Sequence, residues 1–365
     1  MAKNEDLNRP LYRNVREWSL PWRSFAASAV ISAALLLAVI AALWVAVVDD
    51  PDGGRAEAVA AIEDAAPAAT GSVAAAGGLV PDEPMPQATD DGPALATLPF
   101  SAAAIGGDPG LVQQSAYGPL PRVSPDGRRP RDVYARRTDS LPSGAARVVL
   151  IVGGLGLSQT GTQNAISRLP EEVTLAFAPY GASLQRWASK AREEGHEIIL
   201  QVPMEPVGYP EQNPGEHTLL ASAGGRNRDD LHWILGRMTG YAGVMNHMGG
   251  RFTAEEQAMV PFLGEIGERG LYYLDDGTSP QSRAKLVAEA LRVPFLTADR
   301  IVDRSRAQGE IERELAALEA VARARGLAVG VASAFPASVE TIARWAREAQ
   351  SRGVFVVPAS AAFEL

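Results

Sequence analysis

The feature that most restricts this chain is a change of pattern after Ala146. From there, short apolar runs alternate with helical stretches at intervals of roughly 25 to 35 residues. The runs are 147–152 (RVVLIV), 173–177 (VTLAF), 197–202 (EIILQV), 242–245 (AGVM), 271–274 (LYYL), 295–298 (FLTA), 328–332 (AVGVA) and 354–357 (VFVV). Helical patterns fill 183–194, 229–238, 253–268, 308–325 and 338–352. Thr253 and Glu256 have the spacing of a capping box, and Gly195, Gly270, Gly326 and Gly353 each stand where a helix ends before a strand. Strands that are apolar throughout must be covered on both faces, so the alternation predicts the α/β class with a parallel sheet. About seven or eight such units favour a closed or nearly closed barrel over an open sheet.

In this architecture chemistry gathers beyond the carboxyl ends of the strands. Gly153, Gly154 and Gly156 follow the first strand and Pro179 and Tyr180 the second. Gln201, Pro203, Met204 and Glu205 end the third, Asn246 and His247 the fourth, Asp275 and Asp276 the fifth. Asp299 and Asp303 follow the sixth, Ser333 the seventh and Ser360 the eighth. Glu205, His247, Asp275 and Asp276 are the candidates for acid–base or metal chemistry, because two carboxylates near an imidazole suit either task. Tyr180, Asn246 and Asp275 are the candidates to line a ligand groove. Each has a plainer reading: Asp275-Asp276 also has the form of a turn cap before Gly277. His196 opens a strand at the end away from the chemistry, and His217 and His232 read as surface or packing residues.

Ahead of this domain, residues 25–48 (FAASAVISAALLLAVIAALWVAVV) carry no charge. As a helix the run is about 36 Å long, enough to cross a bilayer core. Arginines precede it and Asp49, Asp50 and Asp52 follow, which predicts a cytoplasmic N-terminal segment 1–24 and a translocated C-terminal domain. Residues 49–145, rich in Ala, Pro, Gly and Asp, read as a disordered linker before a domain at 146–365. A basic stretch within it, bearing Arg122, Arg128, Arg129, Arg131, Arg136 and Arg137, either docks on the acidic domain, touches anionic lipid or wall polymer, or is simply solvated.

Several function classes fall away. A net charge of −9 argues against nucleic acid, and the absence of Cys excludes thiolate metal sites and thiol nucleophiles. The turn VGGLGLS lacks the third Gly of a dinucleotide fingerprint, and neither a G-x-S-x-G elbow nor a G-K-[ST] phosphate loop occurs. Four histidines without an H-E-x-x-H or H-x-x-x-H pair cannot build a local histidine metal site.

Taken together, VVLIVGGLGLS (148–158), GHEIILQVPMEP (195–206), GYAGVMNHMGGRFT (240–253), LAVGVASAFPASVETIARW (327–345) and VVPAS (356–360) resemble the divergent polysaccharide deacetylase family, over about residues 147–363. The resemblance implies a (β/α) barrel of the carbohydrate-esterase type, usually a distorted seven-stranded one. It also implies a divalent metal held by one Asp and two His, and a second Asp that activates water for amide hydrolysis. Here Gly153-Gly154 stands where the family has Asp-Asp, and QVPMEP replaces the stretch expected to carry the paired histidines. Glycine has no side chain with which to ligate a metal or take a proton.

The leading expectation is therefore a membrane-anchored cell-envelope protein that binds or helps metabolise an envelope glycan without the conventional metal mechanism. An active N-deacetylase with a zinc-like ion at a relocated site is the alternative, and an envelope protein-interaction module the third.

Overall fold

The computed structural model describes residues 107–363 apart from Asp139 and Ala223. The expected membrane span, the cytoplasmic segment and residues 49–106 of the expected linker lie outside the described residues, among which no helix is long and apolar enough to cross a membrane.

The described chain opens with an antiparallel hairpin, β1 (Val112–Ser115) and β2 (Gly118–Pro121), and a short helix α1 (Pro130–Val133). The alternating unit follows as β3 (Ala146–Leu155), α2 (Gln159–Arg168), β4 (Thr174–Phe177), α3 (Leu184–Glu193), β5 (Ile198–Met204) and α4 (Arg226–Leu235). It continues as β6 (Gly243–Met248), α5 (Glu256–Glu268), β7 (Tyr272–Asp275), α6 (Ala284–Leu291), β8 (Phe295–Thr297) and β9 (Arg300–Ile301). The last elements are α7 (Gln308–Arg325), β10 (Leu327–Ser333), α8 (Pro336–Ala349) and β11 (Val354–Val357). Every expected strand is present, and all pairings from β3 onward are parallel.

The sheet order is β8-β7-β6-β5-β4-β3-β10-β9, with β11 paired to the first residues of β3. β8 and β9 occupy opposite edges although only Ala298 and Asp299 separate them. Ala298 N–H donates to Asp275 O at 2.8 Å and Asp299 N–H to Val329 O at 2.7 Å, so this dipeptide brings the two edges together. The sheet is thus rolled, with a seam where ladder pairing lapses, rather than a continuous closed barrel.

Alternation along the strands sorts two cores. Val149, Ile151, Ile199, Met245, Tyr272 and Leu274 point into the roll. Val148, Leu150, Val152, Ile198, Leu200 and Val244 point out against the helices. Each fully buried side chain of this size contributes about 1.5–3 kcal/mol, which is why strands apolar on both faces fold this way. The four glycines expected to end helices all have positive φ, 81° at Gly326 for example.

Two expectations need correction. The linker does not run to residue 145: Leu111 and Tyr134 are buried in the interior core, and the basic stretch docks on the domain. Arg136 donates to Gly195 O at 2.8 Å and pairs with Glu171 at 2.7 Å. Average composition concealed these isolated anchors. Nor does the Thr253–Glu256 capping box form. α5 starts at Glu256, no side chain caps it, and Thr253 lies in a 3-10 turn where its hydroxyl donates to Gly249 O.

Candidate functional site

The carboxyl ends of β3, β5, β6 and β7 converge on the mouth of the roll. At its floor lie Gly153 and Gly154, the latter at φ 80°, in the left-handed region that side chains rarely adopt. Gln201, an inward residue of β5, reaches across to them. Its Oε1 accepts from Gly154 N–H at 2.7 Å, and a Cβ added to Gly153 would lie 2.8 Å from its Nε2. A buried amide therefore fills the space into which a side chain at 153 would project. Gln201 was not among the expected site residues, although a polar side chain at an inward position of an apolar strand was the available signal.

His247 continues the inward side of β6 set by Met245. Its side chain is exposed at the mouth and has no hydrogen bond among the described residues, and desolvation by the surrounding protein lowers its pKa, so the ring is neutral at neutral pH. It is the one candidate with an uncommitted functional group.

The other candidates are committed to holding the strand ends. Asn246 Oδ1 accepts from Tyr273 OH at 3.1 Å and Asp276 N–H at 2.9 Å, while its Nδ2 donates to Met248 O at 2.7 Å. It ties β6 to β7 and does not line the mouth. Asp275 accepts from Gly277 N–H and Ser282 OH, and Asp276 from the N–H and OH of Thr278. The pair caps the turn at Gly277, the plainer of its two readings. Burial nevertheless raises Asp276 to about 6. Glu205 accepts from Ala221 N–H at 2.7 Å and pairs with Arg251 at 3.0 Å, pinning the long loop after β5 to the loop after β6. Tyr180 donates to Glu216 O beneath that loop and lies tilted against Trp233, and burial pushes its phenol up to about 12. The structure brings Asn246 and Asp276 together but does not join Glu205, His247 and the Asp pair into one centre.

These donors do not fit the ion of the conventional mechanism. Gly153 and Gly154 have no side chain to ligate, Glu205, Asp275 and Asp276 accept from neighbouring backbone and hydroxyl groups, and among the described residues no group of three His, Cys, Asp or Glu is placed to hold a metal.

Comparison with known proteins places this geometry. The chain is 26% identical over 178 residues to an uncharacterized protein of Haemophilus influenzae, covering 49% of this chain. It is 23% identical over 207 residues to the uncharacterized protein YibQ of Escherichia coli, covering 56%. In each case the match spans 63% of the relative's own length. The crystal structure of an uncharacterized protein from Agrobacterium tumefaciens is 50% identical, with a TM-score of 0.65, over 67% of this chain and 99% of that one. The model of the divergent polysaccharide deacetylases matches residues 150–363, which take in the mouth and all of the rolled sheet except the first four residues of β3; the chain belongs to that family.

Proposed function

We propose that this protein recognises an N-acetylated envelope glycan at the mouth of its barrel and does not hydrolyse it by the family's metal-dependent route. The observation that carries this reading is Gln201 locked over Gly153-Gly154, which substitutes an amide for the expected acid and ligand positions. What the mouth offers instead is recognition chemistry. The Nε2 of Gln201 supplies donors for an acetamido carbonyl, and neutral His247 can accept from a sugar hydroxyl or amide. The uncharged run 25–48, flanked by arginines before and aspartates after, supports an inner-membrane anchor with the domain on the far side.

The test is binding and chemistry on the whole protein together. N-acetylated peptidoglycan fragments should bind equally with and without chelator, and no acetate should be released with zinc, cobalt or manganese. Gln201→Ala and His247→Ala should each weaken binding about ten-fold, the worth of one buried hydrogen bond. A stoichiometric bound metal with acetate release would sink this reading.

A second reading rests on His247, which makes no hydrogen bond among the described residues and is held neutral as a general base requires. If acetate is released and falls at least about 100-fold in His247→Ala, the relocated-site hydrolase replaces the first reading.

A further inference from the structure

Among the large apolar side chains left in water are Leu157 at 62% exposure, Val207 at 82%, Met248 at 37% and Phe335 at 36%. Leu157, Val207 and Phe335 stand on the loops after β3, β5 and β10 and Met248 is the last residue of β6, so all four lie at the carboxyl ends of strands. The segments that carry them form two neighbouring pairs. A Cβ on Gly250 would lie 3.5 Å from Val207 Cγ2, which sets Val207 beside the turn after Met248. A Cβ on Gly161 would lie 3.7 Å from Ala334 O, which sets the start of α2, just after Leu157, beside the loop carrying Phe335. With β4 between β3 and β5 in the sheet, the mouth opens between two apolar jaws.

Val207 is no loose tip. Tyr209 N–H donates to Pro206 O at 3.3 Å and Gln212 N–H to Gly208 O at 2.8 Å, so its turn is ordered by its own backbone. Holding such side chains in water contributes nothing to folding, and their concentration around one opening marks a contact surface. Met and Phe, enriched at protein interfaces, stand here without Lys, while the exposed Glu211 and Glu216 lie on the Val207 side. A sugar ring seeks polar partners or flat aromatic rings, and of these four side chains only Phe335 is aromatic, its ring already covered by Arg306.

Charge narrows the partner. Arg304 and Arg306, in the loop after β9, are exposed and make no ion pair among the described residues, and Arg306 lies 3.9 Å over the Phe335 ring. The carboxylate beside them is turned away, since Asp303 accepts from Ser333 N–H and Ser338 OH, both at 2.8 Å. At this jaw a chain of net charge −9 presents positive charge.

We infer that the rim docks a polypeptide segment of a partner protein that carries large apolar side chains beside acidic ones. The apolar anchors sit on Leu157, Val207, Met248 and Phe335, and the carboxylates on Arg304 and Arg306. This docking uses other residues than glycan recognition on the floor, and the two ligands compete for one opening.

Random displayed peptides panned against the full chain provide the probe. Enriched peptides should combine Asp or Glu with large apolar residues. Their affinity should fall at least about ten-fold in Leu157→Ser with Val207→Ser, and again in Arg304→Glu with Arg306→Glu. Leu291→Ser, exposed at the far end of α6, should leave affinity unchanged. All these positions are exposed, so thermal melts should match the parent. Enrichment of basic or neutral peptides, binding indifferent to the rim substitutions, or no enriched peptide would overturn the proposal. So would a concentration-dependent dimer in sedimentation that the rim substitutions abolish, because a second copy would then be the occupant. Loss of glycan binding in Gln201→Ala with peptide affinity intact would establish that the floor and the rim act separately.

Discussion

Asp276 is buried against β6 and β7, and the cost of burying its charge exceeds what Thr278 and Asn246 return, so its pKa stands at about 6 against an ordinary 3.8. A carboxyl whose folded pKa is raised contributes its stability below the unfolded value and loses it as pH rises through the folded one. Its contribution should therefore fall between about pH 4 and pH 6, by about 3 kcal/mol. Asp276→Asn removes that dependence. In urea melts the variant should gain about 3 kcal/mol relative to the parent between pH 4 and pH 7; a constant difference would refute the assignment. A second effect belongs to Gly153, where a methyl would displace the Gln201 amide from Gly154 N–H. Gly153→Ala should cost about 1 kcal/mol in the parent and almost nothing in a Gln201→Ala background, a coupling that a double-mutant cycle measures. At this scale the sequence identified the right strand ends but not their partners. Residue type and spacing cannot tell an Asp that faces a ligand from one that caps its own turn, and both readings of Asp275-Asp276 were open until the hydrogen bonds separated them.

The strands and long helices were legible because burial on two faces leaves no other pattern for an apolar run. What escaped notice was short or polar. β9 has two residues, α2 reads QTGTQNAISR, and the hairpin β1–β2 sits in a stretch whose average composition is that of a linker. The capping box failed for a related reason: a local motif lost to a tertiary one. Thr253 is drawn into the turn after β6, where its hydroxyl donates to Gly249 O at 2.9 Å and its carbonyl accepts from Arg283 N–H at 2.7 Å. Thr253→Ala should therefore cost about 1 kcal/mol through the lost turn bond. Glu256→Ala should cost no more than a few tenths, whereas a reciprocal box would make both substitutions comparable. Paired urea melts decide between them.

For the molecule as a whole, a rolled sheet has two open ends, and the lower one must be sealed if its interior is to be dry. The seal comes from outside the repeating unit. Leu111 and Tyr134 enter the same interior core as Val149, Ile199 and Tyr272. Just beyond them Glu197 is wholly buried at the foot of β5, where burial raises its pKa. Arg136 N–H at 2.9 Å, Tyr272 OH at 2.8 Å and Ser360 N–H at 3.0 Å donate to it, so a group costly to bury is satisfied partly by the segment before residue 146. Arg192, also buried, donates to Gly240 O at 2.6 Å and to Tyr134 O at 3.2 Å. A chain begun at Ala146, where the apolar alternation starts, would expose the interior core and take from Glu197 the Arg136 N–H and from Arg192 the Tyr134 carbonyl. It should lose a cooperative thermal transition or melt far below a chain begun at Gly107, and it should bind a hydrophobic dye. Tyr134→Ala in the full chain isolates the packing part of this effect, at about 3 kcal/mol. Equal melting of the two truncated chains would mean that the interior holds together without its plug, and that the hairpin and strap serve the surface rather than the core.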